Sequence, residues 1–219
     1  MDFELITGMI LGDGCIEKNG QLACEHGIKQ ADYLYWKYDQ LADVCLSMPR
    51  ITQHGHAVRF RTQAIFKDLR EIWYGTGRKA LPKELGELLT PKVLAIWFMD
   101  DGDKMSHQII DGYFCSNTRM RIATHSYNRE EHRLIIDVLR NNFGIHSEYK
   151  REGKYLRLQI PAKDGNSKKF ADLIRPFMPD CMRYKLPMFR VNRCGQHGNQ
   201  HKGRIFTRPE GVETEKEAA

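Results

Sequence analysis

The strongest constraint on this chain is that it carries one short plan twice. The stretches ITGMILGDG at residues 6–14 and LAIWFMDDG at 94–102 are both apolar, and both end in Asp-Gly. Asp2 can cap the first, while Thr90-Pro91 gives the second an N-cap and a first helical residue, with Gly102 placed to stop it. Two apolar helices are predicted, and their closing acids, Asp13 and Asp101, stand 88 positions apart.

Further features recur in the same order. Phe66-Lys67-Asp68-Leu69 matches Phe170-Ala171-Asp172-Leu173, and each is followed by a lysine beside Leu-Pro, at Lys79 and at Lys185. Ala23-Cys24-Glu25-His26 is echoed by Ile122-Ala123-Thr124-His125, and each leads into a predicted helix, about 31–45 and 129–142. Asn128 with Glu131 makes a capping box for the second of these, and Gly144 a stop. Alternation at Val58 and Phe60 against Arg59 and Arg61, and at Leu156, Leu158 and Ile160 against Tyr155, Arg157 and Gln159, predicts half-buried strands. The chain is therefore expected to be an α+β internal duplication of two αββαββα repeats, 1–89 and 90–187, followed by 188–219.

An aspartate at a helix C-terminus meets the negative end of the dipole, at a cost of some tenths to ~1 kcal/mol. Two such ends would repel, yet their apolar faces favour packing, and Gly8 with Gly12 allows a close approach. Side-by-side packing would bring Asp13 and Asp101 together with the last-turn carbonyls, an oxygen-lined anionic cavity suited to a hard divalent ion such as Mg2+.

The formal net charge is +6, but it is not spread evenly: residues 183–208 carry +7 and the tail from Pro209 carries −3. That basic stretch suits an arm tracking phosphates. The longest clean apolar run, Val93–Met99, is too short for a bilayer, and no charged-then-apolar leader opens the chain, so an intracellular protein without a membrane partner is expected. The compartment is left open. Six scattered cysteines are read as reduced thiols. Trp36, Trp73 and Trp97 are assigned to the core, and Asp103 is expected to be solvated.

The two nine-residue stretches resemble the motif that names the LAGLIDADG homing endonucleases, and the likeness, closest to the monomeric two-motif branch, runs over nearly all of residues 1–187. It implies motif helices at the interface between pseudo-symmetric halves, with two saddle-shaped antiparallel sheets along a DNA major groove. By the motif's register it makes Asp13 and Asp101 the metal ligands and catalytic acids, with Mg2+ as cofactor and Mn2+ able to substitute. The Gly12 carbonyl and Asp100 are further candidate ligands. Lys79 and Lys185 resemble the basic residues that orient or polarise the attacking water, and His26 and His125 fall where a water network is conceivable. Two positions depart from the family: Ile96 and Asp100 stand where small residues are usual, so the packing is expected to be asymmetric.

The implied activity is site-specific double-strand cleavage of a long, nearly asymmetric duplex by a monomer. The setting would be an intron- or intein-type mobile element. Candidate DNA-binding residues are Arg59, Arg61, Arg119, Arg121, Tyr155, Arg157 and Gln159 on the strands and Arg190 and Arg193 in the arm. The alternatives are an RNA maturase aiding intron splicing on the same scaffold and a catalytically inactive DNA-binding regulator. Cys181, Cys194, His197 and His201 could ligate zinc, but their first spacing is unlike a finger's paired cysteines, and zinc is not expected.

Overall fold

The computed structural model describes residues 1–52, 54–105, 109–110, 113–114, 118–153 and 155–187. The expectations for Arg190, Arg193, Cys194, His197, His201 and the arm lie outside the described residues.

Elements of the first half are α1 (Phe3–Leu11), β1 (Cys15–Ile16), β2 (Leu22–Gly27), α2 (Ala31–Asp39), β3 (Arg50–Ile51), β4 (Ala57–Arg61), α3 (Lys67–Tyr74) and α4 (Leu85–Leu88). The second half has α5 (Pro91–Asp101), β5 (Gly102–Met105), β6 (Ile109–Ile110), β7 (Tyr113–Phe114), β8 (Arg119–Ile122), α6 (Arg129–Phe143), β9 (Glu148–Glu152), β10 (Tyr155–Ile160) and α7 (Asn166–Ile174). Each half builds one antiparallel four-stranded sheet, in the orders β1-β2-β4-β3 and β5-β8-β10-β9. These orders are the same once the β6-β7 pair is set aside, so the duplication in the sequence is a duplication in topology.

Register makes the correspondence exact to the residue. Cys15 pairs with Ala23 and Cys24 with Phe60, as Asp103 pairs with Arg121 and Ile122 with Leu158. His26 therefore corresponds to Thr124 and not to His125, one position away from the echo in the sequence.

α1 and α5 are apolar around most of their circumference because both are enclosed beyond their first turns. Leu5, Ile6, Met9 and Ile10 and every residue from Val93 to Met99 are fully enclosed. The two helices cross where each motif position meets its own counterpart. A Cβ on Gly8 would stand 2.6 Å from the Ile96 Cβ, and one on Gly12 would stand 2.4 Å from the Asp100 Cβ. Glycines on one helix make room for large residues on the other, so the close packing is asymmetric, as expected.

α6 begins and ends as the sequence predicts. Asn128 accepts from the N–H groups of Glu130 and Glu131, Glu131 returns a bond to Asn128 N–H, and Gly144 closes the helix at φ +59°. Gly102 does stop α5, but in an extended conformation, φ −89°, that opens β5. Glycine is needed there for space, since a Cβ would lie 2.2 Å from the Phe98 ring. α2 stops at Asp39, short of residue 45, because the chain turns to bridge Cys45 to Thr62 beside β4. Trp73 and Trp97 are core, whereas Trp36 is only partly buried, stacked on Tyr33 at 5.8 Å.

Candidate active site

Asp13 leaves the end of α1 and Asp101 is the last residue of α5, so the paired helices deliver both acids to one end of the seam. Burial and the neighbouring charges of Asp13 and Asp100 push the Asp101 carboxyl up to about 7. Asp13 is also raised, by burial and then by Asp100. Acids held this way are short of positive charge, which is the environment a divalent cation relieves. Carboxylate oxygens of this kind are the donors a hard metal ion takes.

The helix-end carbonyls already have partners. Lys79 Nζ donates to the carbonyls of Leu11 and Gly12 at 3.0 and 2.9 Å. Lys185 Nζ donates to those of Met99 and Asp100 at 2.5 and 3.2 Å. The lysines of the two Leu-Pro segments thus sit on corresponding residues of the two motif helices, each a cation at a negative helix end. Burial lowers both amines, and the surrounding aspartates oppose that shift. The Gly12 carbonyl, expected as a ligand, is bonded to Lys79.

Asp100 is engaged elsewhere as well. Its Oδ1 accepts from Lys37 Nζ at 2.6 Å and Tyr33 OH at 2.8 Å, and its Oδ2 from the Asp13 N–H at 3.1 Å. Asp13, His26 and Asp100 each bring a ligand atom within 4.8 Å of the others. Lys37, at 3.0 Å from His26 Nε2, already supplies the cation to two of those three groups. Asp100 is thus the counter-ion of Lys37 and, with Asp13 and His26, also a member of the cluster of possible ligand atoms.

His26 is buried, with Nδ1 3.4 Å from Asp13 Oδ2. Burial, followed by the Lys37 charge, lowers its pKa to about 4, so the ring is neutral. His125 instead packs on Tyr155 at 5.1 Å and faces Glu152 at 3.7 Å. Lys37 and Tyr33 were missed by the sequence reading. Their signal was a lysine on the apolar line of an amphipathic helix, one turn after a buried tyrosine.

The candidate DNA-contacting residues lie on the two sheets, most of them tied to acids. Arg121 makes two 2.7 Å bonds to Asp103, which also lies 3.5 Å from Arg157. Arg61 bonds Glu17 at 2.8 Å, and Arg59 stands 3.7 Å from Glu25. Gln159 is nearly enclosed and donates to Glu148 at 2.8 Å. Arg119 is partly buried and Tyr155 exposed. Asp103, expected to be solvated, is the anchor of an arginine pair.

Two motif helices at a pseudo-two-fold seam, each closing on an acid beneath a saddle of two sheets, define the LAGLIDADG architecture. Residues 3–170 match the LAGLIDADG DNA endonuclease family, and the chain belongs to that family. Its structure is similar to that of the homing endonuclease I-WcaI bound to its DNA recognition sequence, at 26% identity and a TM-score of 0.71, over 86% of both chains. I-SmaMI bound to uncleaved DNA target in the presence of calcium ions shares the fold, with a TM-score of 0.53 and 12% identity over 84% of this chain and 87% of that one. In sequence the chain is 31% identical over 201 residues to Protein RecA of Mycolicibacterium chitae, covering 86% of this chain and 47% of that protein. It thus spans about half the length of that RecA relative. Cytochrome b mRNA maturase bI2 of Debaryomyces hansenii is 25% identical, over 84% of this chain and 72% of the maturase. Among the described residues no helix is long and apolar enough to cross a membrane.

Proposed function

We propose that this chain is a site-specific endonuclease that hydrolyses both strands of a long, nearly asymmetric DNA duplex. The observation that carries the reading is the delivery of Asp13 and Asp101 to one end of the seam, among two lysines each anchored on the end of one motif helix. Asp13 and Asp101 would hold Mg2+ or Mn2+, which supplies charge neutralisation at the phosphate and a more acidic water. Lys79 and Lys185 keep ammonium groups at corresponding points, where they orient the attacking water and offset phosphate charge. His26, neutral and with Nδ1 3.4 Å from the Asp13 carboxylate, belongs to the same polar network.

Arg59, Arg61, Arg119, Arg121, Tyr155, Arg157 and Gln159 are proposed to meet the duplex. Arginines already paired with acids lose less freedom on binding, which favours base reading over loose phosphate contact. Residues 1–89 and 90–187 would each read one half-site, so one chain suffices as a monomer, with 188–219 as a basic arm. The setting proposed is a mobile element of the intron or intein kind, inside the cell.

Likeness to a maturase favours a second reading, an RNA-binding splicing factor on the same scaffold. Incubation with a randomised duplex pool in Mg2+ against Ca2+ separates the two. Cleaved sites recovered in Mg2+ alone support the nuclease; no cleavage, with tight binding of a structured intron RNA, replaces it with the maturase.

A further inference from the structure

Lys37 and Asp100 form an ion pair with both side chains fully buried, 2.6 Å apart, one from each half of the molecule. Such a pair is seldom the most stabilising way to fill a core, because desolvation offsets much of the attraction. Its distinguishing feature is what it touches. Asp100 Oδ2 accepts the Asp13 N–H at 3.1 Å, and Lys37 Nζ stands 3.0 Å from His26 Nε2. An ammonium has only donors, so Nε2 accepts and the imidazole proton resides on Nδ1. Nδ1 is the nitrogen that faces Asp13 Oδ2, at 3.4 Å. One buried network therefore bonds the Asp13 main chain and places a histidine nitrogen 3.4 Å from its carboxylate.

The second half has no copy of this network at the corresponding positions. Gly12 corresponds to Asp100 and has no side chain. Thr124 corresponds to His26, and its hydroxyl is engaged by His132 Nε2 at 2.8 Å and by the Leu158 N–H at 3.0 Å.

We infer that Lys37, Asp100 and His26 are positioning residues for the Asp13 carboxylate alone, and that they make the two half-sites inequivalent, so that the two strands of a duplex are cut at different rates. The inference rests on the endonuclease reading and adds an order to it. Lys37 acts through His26, and Asp100 through both Lys37 and the Asp13 main chain.

The test uses the full chain in two measurements. In 15N-histidine spectra of the metal-free protein, His26 is expected as the Nδ1–H tautomer, moving to the commoner Nε2–H form in Lys37→Met. The double variant Lys37→Met/Asp100→Asn removes both buried charges together and guards against simple unfolding of the single variant. On a cleavable duplex with each strand end-labelled, the double variant should slow one strand by about 10–100-fold and the other by less than about threefold. An Nε2–H tautomer in the wild type, a tautomer indifferent to Lys37, or equal slowing of the two strands overturns the inference. A wild type that cuts no duplex overturns the endonuclease reading and the strand order with it, whereas the histidine spectrum still decides the Lys37–His26–Asp13 contact.

Discussion

Gly12 of α1 and Asp100 of α5 hold the same place in the two motif copies and touch each other across the seam, so closely that a Cβ on the glycine would lie 2.5 Å from the aspartate's Oδ2. One position of the repeat has become a hole and its twin the plug. Gly12→Ala should therefore force the helices apart and lower stability by ~1–3 kcal/mol, the usual scale of overpacking. Gly86→Ala is the control, since its nearest neighbour would be a Val138 methyl at 3.8 Å and alanine favours a helix. Thermal unfolding of the pair should show a clear fall for the first only.

Asp13→Asn and Asp101→Asn should each abolish cleavage while leaving duplex binding in Ca2+ largely intact. Unchanged cleavage would mean that other acids carry the reaction. Asp100→Asn removes no metal ligand on this reading but strands the Lys37 charge. It should unfold more easily than either, with its calorimetric midpoint the lowest of the three.

The Asp101 carboxyl, at about 7 in the fold against 3.8 as its ordinary value, makes a signed statement about pH. A raised acid means that the folded state binds the extra proton, so the metal-free protein loses stability as pH rises between those two values. The slope is at most about 1.4 kcal/mol per pH unit. Chemical denaturation at pH 6 and pH 8 should show the wild type weaker at pH 8, with the difference reduced in Asp101→Asn and by added Mg2+.

Glu131 fastens the halves together. Its carboxylate accepts from Arg78 at 3.2 and 2.9 Å, from the Leu81 N–H at 3.0 Å and from the Asn128 N–H at 2.8 Å. Burial opposes ionisation, but these donors outweigh it and hold the group below its ordinary 4.5. Its stabilisation is complete above that value and is lost as pH falls through the lowered one. Glu131→Gln should cost ~1–3 kcal/mol at neutral pH and flatten the acid limb of the stability curve, read by circular dichroism.

Asp103 restrains Arg121 and Arg157 on the sheet face. Asp103→Asn should release both arginines, tightening non-specific duplex binding and steepening its salt dependence by up to about 0.9 in log–log slope for each phosphate gained. Binding titrations across a salt series check this; an unchanged slope would show that the arginines stay committed without their acid.

Much of the fold was legible because its signals are local. The Asn128–Glu131 box, the Gly144 stop and the alternation at Val58 and Phe60 depend only on near neighbours, and each stands as the sequence predicts. The duplicated Asp-Gly ends and Leu-Pro lysines likewise marked the groups that meet at one end of the seam. Thr124 replaced His125 as the partner of His26 because strand register, not sequence similarity, sets correspondence. Asp103 proved to be an anchor because its arginine partners sit on β8 and β10 of the same sheet, 18 and 54 positions along the chain.

The sequence by itself determined a duplicated α+β chain whose two apolar helices end in acids, since periodicity, caps and repetition are written along one strand of residues. Only the tertiary structure decided which carboxylate is already neutralised by a buried lysine. That depends on Lys37, 63 positions from Asp100 along the chain, arriving within 2.6 Å of it. Charge compensation in a buried site falls off over a few ångströms, and no pattern along the sequence measures that distance.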